Sequence, residues 1–161
     1  MGWVTLTLRK TELKRTHADY QTQLLGISRT KRQMARRNHY EQLVVRNKQT
    51  KELREIKLNY DEEREYLHES LNSNTLSEAE KNDIRNKLTE LQQQYSYDSN
   101  EIKTIYEEDL AMIEESANDE ETMLDQEQVE IEAQLEAIKA EMDAVGEAIS
   151  SQIQASTIKL S

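Results

Sequence analysis

Glu65-Tyr66-Leu67-His68 is the most enzyme-like spacing in this sequence. A Glu and a His three residues apart share one face of a helix, and di-iron bundles use that pair twice, with further Glu residues from other helices. Here it occurs once. His17 and His39 follow Lys14 and Arg36 at that spacing, so no second half-site exists in the chain. Among 32 Asp and Glu residues a single match reads as solvated surface, and no metal site is expected. Nucleophilic catalysis needs a strained turn to hold its Ser, and no Gly-x-Ser-x-Gly elbow is found. The three glycines, Gly2, Gly26 and Gly146, are too far apart to cradle a phosphate. Cysteine is absent, which removes disulfides, thiolate ligands and thiol nucleophiles. The expectation is a non-enzyme with no cofactor.

Two binding chemistries have more substance. The run from Arg29 through Lys31, Arg32, Arg36 and Arg37 has the density of a helix that tracks phosphates or an anionic membrane. A net charge of −11 opposes that use, because the whole molecule repels polyanions. Nucleic acid is therefore not the expected partner, and pairing with an acidic part of the same chain accounts better for the cluster. Trp3 is the only tryptophan, a lone large aromatic on a terminus that reads as extended, and it is the expected docking anchor. The seven tyrosines fall mostly at or beside positions that pack between helices, with the hydroxyl left wet.

The elements that carry these residues follow from composition and period. With 35% apolar and 33% charged residues, no proline and no phenylalanine, the chain cannot fill a thick core and lacks the usual helix breakers. From about residue 10 to 71, Leu13, Tyr20, Leu24, Ile27, Met34, Leu53, Ile56, Tyr60, Leu67 and Leu71 recur at helical steps. Lys31 and Asn38 stand at seam positions and Leu43, Val44 and Val45 shift the phase, so the middle of this arm is irregular. Turn formers cluster over 72–77, and Ser77 with Glu80 fits a capping box. From 78 to 155 every apolar step is three, four or seven, from Ile84 through Tyr106, Ile131 and Ile138 to Ile153. A break near Ser96-Tyr97-Asp98-Ser99-Asn100 would divide this second arm. The fold class expected is all-α, a long antiparallel two-helix coiled-coil hairpin.

Charge supports the reversal independently. Residues 1 to 57 hold 14 Lys or Arg against 5 Asp or Glu, whereas residues 101 to 147 hold 2 against 17. Folding symmetrically about residue 74 sets residue i opposite 148 minus i. That register places Arg29, Lys31, Arg32, Arg36 and Arg37 beside Glu114, Glu115 and Asp119. Each exposed pair contributes about 0 to 1 kcal/mol, so the array selects the pairing more than it stabilises it.

Both termini alternate with period two. Residues 1–9, with Trp3, Val4, Leu6 and Leu8, and residues 156–161, with Ile158 and Leu160, read as extended segments. They would either add to a partner's sheet edge or clasp the chain's own second helix. No apolar run is long enough to span a bilayer, and neither a secretory signal nor an N-myristoylation signal is expected. The expected location is in solution, cytoplasmic or incorporated into a particle.

In length, lack of proline and two-arm layout the chain resembles the coiled-coil stalk proteins of flagellar and type III secretion export ATPases. That resemblance implies one copy inside a hexameric ring and stimulated ATP hydrolysis; the β-like termini depart from it. The leading expectation is a structural or scaffolding subunit of a large assembly, such as a virion, tail or surface appendage, that spaces or staples neighbours. Its partners would be proteins, as a homo-oligomer or in many copies, docked through the termini.

Overall fold

The computed structural model describes residues 2–160, with side chains as far as Ile158. Two helices take up nearly all of it: α1, Trp3–Leu71, and α2, Glu78–Leu160, joined as a hairpin. No strand occurs among the described residues. Strong helix formers and the absence of proline allow this length, and the turn falls where the polar cluster predicts it. The amide of Asn72 donates to the carbonyl of His68 and that of Ser73 to Ser70, closing α1. Ser77 then caps α2, its Oγ accepting the Glu80 N–H at 3.2 Å, and Glu78 and Glu80 place negative charge at the positive end of the helix dipole.

The termini differ from the sequence reading, because both are helical. α1 is formed from Trp3, and the Leu6 amide donates to the Gly2 carbonyl at 3.2 Å. Valine and threonine cost only about half a kcal/mol each in a helix relative to alanine, and no strand of this chain is on hand to pair an extended segment. The threonines also satisfy their hydroxyls within the helix: Thr7 donates to the carbonyl of Trp3, Thr11 to that of Thr7, and Thr157 to that of Ile153. The 156–160 segment continues α2; the side chain of Leu160 and all of Ser161 lie outside the described residues. The second expected break is absent as well. Helix α2 runs through residues 96 to 100, where Gln94 Nε2 donates to Asp98 Oδ1 one turn on, at 2.8 Å.

The chain forms two units, Met1–Arg36 with Ala117–Ser161, and Arg37–Ser116. In the first, Leu6, Lys10, Leu13, His17, Tyr20, Leu24, Ile27, Lys31 and Met34 lose exposure on α1 at alternating steps of four and three, with Thr16 partly covered beside them. Their counterparts on α2 include Leu124, Gln128, Ile131, Leu135, Ile138, Met142, Val145 and Ile149. Leu13, Ile27, Met34, Ile131 and Ile138 are buried. Ile153, expected in the seam, is 52% exposed. In the second unit the seam includes Asn38, Gln42, Val45, Gln49, Leu53, Ile56 and Tyr60 on α1, against Leu91, Tyr95, Ser99, Ile102, Tyr106, Leu110 and Ile113 on α2. Steps of four, four and three repeat on that α2 stretch, an eleven-residue period. Leu43, expected to disturb the seam, points out of it at 42% exposure.

The register also departs from expectation by one heptad. In the second unit Tyr60 stacks on Tyr95, centroids 4.4 Å apart, and Tyr106 reaches Glu52; in the first, Lys31 reaches Asp125. Residue i therefore faces a residue near 155 minus i in each unit. Symmetric counting fails because loop residues rise up to about 3.3 Å each, against 1.5 Å in a helix, so 72–77 climb past Leu71 and α2 starts about six residues further out.

The seams are thin. Among the described residues only six apolar side chains are buried, and none is fully enclosed.

Candidate functional site

The uncharged end of the first unit is the feature least explained by the fold itself. Residues 2–8 and 148–158 contain no charged side chain in a protein where a third of residues are charged. By helical geometry Trp3, Val4, Leu6 and Leu8 take up an arc of about 200° on α1's first two turns, wider than the single stripe that one neighbouring helix can cover. Here only Leu6 is half-buried, beside Val145, while Trp3, Val4, Leu8, Ile153 and Ile158 are between 52% and 74% exposed. Leu6, Leu8, Arg9, Glu141 and Val145 border an open depression of about 560 Å³.

One turn inward, charge returns and bridges the two helices. Arg9 donates to Glu141 Oε1 through Nη2 at 2.7 Å and Nε at 3.0 Å, and to Glu12 Oε2 through Nη1 at 3.0 Å. The hydrogen bond to Glu141, then that to Glu12, raise the guanidinium's pKa above its ordinary value. The docking residues proposed from sequence thus lie together, apart from the undescribed Leu160 side chain, but on helical turns instead of strands.

The predicted inter-arm charge cluster is placed differently. Lys31 crosses to Asp125 and donates to Gln128 at 2.9 Å. Arg32 approaches Ser28 on its own helix at 3.4 Å, and Arg37 approaches Glu41 at 3.9 Å. Arg29 and Arg36 are exposed and have no ion pair among the described residues, as are Glu114, Glu115 and Asp119. The seven-residue shift in register puts those residues out of step with the partners counted for them.

Glu65 and His68 are both exposed on α1, and no group of three potential metal ligands occurs among the described residues. No helix is long and apolar enough to cross a membrane. Two polar features escaped sequence reasoning. Ser99 is buried in the seam with its Oγ unpartnered, and Tyr106, also buried, donates to Glu52 Oε1 at 2.7 Å. The steps of four from Tyr95 to Ser99 and of three from Ser99 to Ile102 are the signal that would have placed it inside. No family model, curated protein or solved structure matches this chain, so its role has to be read from its own surface.

Proposed function

We propose that the chain is a non-catalytic structural subunit of a larger assembly of the virion, tail or appendage class, a coiled-coil hairpin that spaces or staples neighbouring subunits. The observation that carries this reading is the uncharged end, where Trp3, Val4, Leu8 and Ile153 offer apolar surface that the hairpin itself leaves uncovered. Aromatic anchors surrounded by small polar groups are typical of docking sites between proteins. The four–three alternation of burial supports the coiled-coil packing.

The test is stoichiometry. Native complexes containing this chain, weighed intact, should hold many copies in symmetric positions; one copy per hexameric ring would instead favour an export-ATPase stalk. The Trp3→Asp/Leu8→Asp variant should stay helical by circular dichroism yet drop out of the assembly. Unchanged incorporation of that variant would remove the terminal docking role.

A further inference from the structure

The chain has seven tyrosines, no phenylalanine and no cysteine. Several of the tyrosines stand in water or in polar contacts: Tyr40, Tyr66 and Tyr97 are exposed, and Tyr106 is buried with its hydroxyl on Glu52. Tyr60 and Tyr95 differ. Within the second unit their half-buried rings stack across the seam, centroids 4.4 Å apart and planes 17° from parallel. Rings at that separation are in van der Waals contact, so two phenols from opposite helices meet face to face. Both line one open depression of about 190 Å³, together with Asn59, Glu63, Gln94 and Asp98. A small solute therefore reaches the pair without the helices parting.

Beyond packing, a stacked phenol pair is suited to one-electron chemistry. A phenol that loses one electron and one proton becomes a neutral phenoxyl radical, and two such radicals couple where the carbons beside their hydroxyls meet. Holding both phenols in contact replaces the encounter of two short-lived radicals by a step within one molecule. The surroundings favour loss of the protons. The Arg64 guanidinium lies 5.5 Å from the Tyr60 ring centroid and disfavours positive charge on that ring. The carboxylates of Glu63 and Asp98, on the same depression, are acceptors for what is released. Thiols, which would reduce the radicals, are absent from the chain.

We propose that Tyr60 and Tyr95 are a modification site, at which oxidation joins α1 to α2 through a dityrosine bond. Each ring gives up one electron and one proton, and a carbon–carbon bond forms between the positions ortho to the two hydroxyls. The hydrogens on those carbons then move to the oxygens, which restores both aromatic rings and both phenols. The pair ends two hydrogens lighter, and a peroxidase passes the two electrons and two protons to hydrogen peroxide, giving two molecules of water. The bond fixes the register of the second unit covalently, in a chain that has no disulfide to do so. It forms within one molecule and stands independently of the docking role proposed above.

The full-length chain at low micromolar concentration, treated with a peroxidase and hydrogen peroxide, should stay monomeric and gain dityrosine fluorescence. Trypsin, cutting after Lys57, Arg64, Lys87 and Lys103, should then release the peptide bearing Tyr60 joined to the one bearing Tyr95, two hydrogens short of their sum. Tyr60→Phe and Tyr95→Phe keep the ring and the fold, and each should cut the yield of joined peptide about tenfold or more. Tyr97→Phe should leave the yield unchanged, because Tyr97 shares the second peptide but stands two residues on, on the far side of α2. The bond closes a loop of about 35 residues and should raise the melting temperature by about 10 °C over Tyr60→Phe treated in parallel. Cross-links that form mainly between molecules, or a joined peptide that survives Tyr95→Phe and is lost in Tyr97→Phe, would overturn the site. An unchanged melting temperature, or chain recovered from its native source without the joined peptide, would overturn the bond as a structural staple.

Discussion

The phenolic hydroxyl of Tyr106 donates to the carboxylate of Glu52 at 2.7 Å, across the seam of the second unit. That hydrogen bond, then burial, pushes the phenol up to about 12 from an ordinary value of 10.0. The protonated phenol is therefore favoured by folding. Its contribution to stability is complete below about pH 10 and is lost as pH rises towards 12. Ultraviolet titration of wild type minus Tyr106→Phe should show one tyrosine ionising near pH 12. Urea midpoints compared at pH 9 and 11 should fall less in Tyr106→Phe than in wild type; equal losses would show that the bond does not govern the phenol.

Ser99 carries a buried hydroxyl with no partner among the described residues. Ser99→Ala removes the unmet donor and improves helix propensity, and should stabilise the chain by about 1 kcal/mol in urea unfolding. A destabilised variant would mean that the hydroxyl is satisfied in solution.

Gly26 lies inside α1, and a Cβ added there would meet nothing within 4 Å. Gly26→Ala should raise stability by about 0.5 to 1 kcal/mol, a gain of about 1 to 4 °C in melting temperature. A lower melting temperature would point to a close neighbour at that position in the assembled state.

Lys31 interrupts an otherwise apolar stretch of the first seam, its side chain 29% exposed and its carboxylate partner Asp125 56% exposed. Lys31→Met should unfold at equal or higher urea concentration, because an apolar residue replaces a partly desolvated ammonium while Asp125 stays hydrated. The loss should fall on register. Disulfide trapping of Lys10→Cys with Gly146→Cys should become less selective over neighbouring pairs in the Lys31→Met background. Equal selectivity in both backgrounds would show that the apolar seam sets the register alone.

Much of the fold is written in local pattern. The last residue of α1, Leu71, and the Ser77 cap of α2 stand where the turn formers and capping chemistry place them, and all six buried apolar residues fall on the periodic stripes. Pattern misleads at the termini, where alternation over Trp3 to Leu8 mimics a strand. Isolated β-propensity is overruled there by continuous backbone hydrogen bonding and by threonine hydroxyls that bond one turn back. Register is not local. It depends on how far the 72–77 loop climbs, which no residue count gives, and an error of seven residues keeps every apolar residue in the seam while moving every charge. The docking residues at the end were legible as uncharged and apolar, but their arrangement around a helix was not.

The lack of charge over residues 148–158 gives the two kinds of surface opposite responses to solvent. Screening by added sodium chloride weakens contacts made through charged side chains, while sulfate tightens those made through uncharged, apolar ones. An attachment made through this end, of the kind proposed, would then persist at high ionic strength and yield to mild detergent.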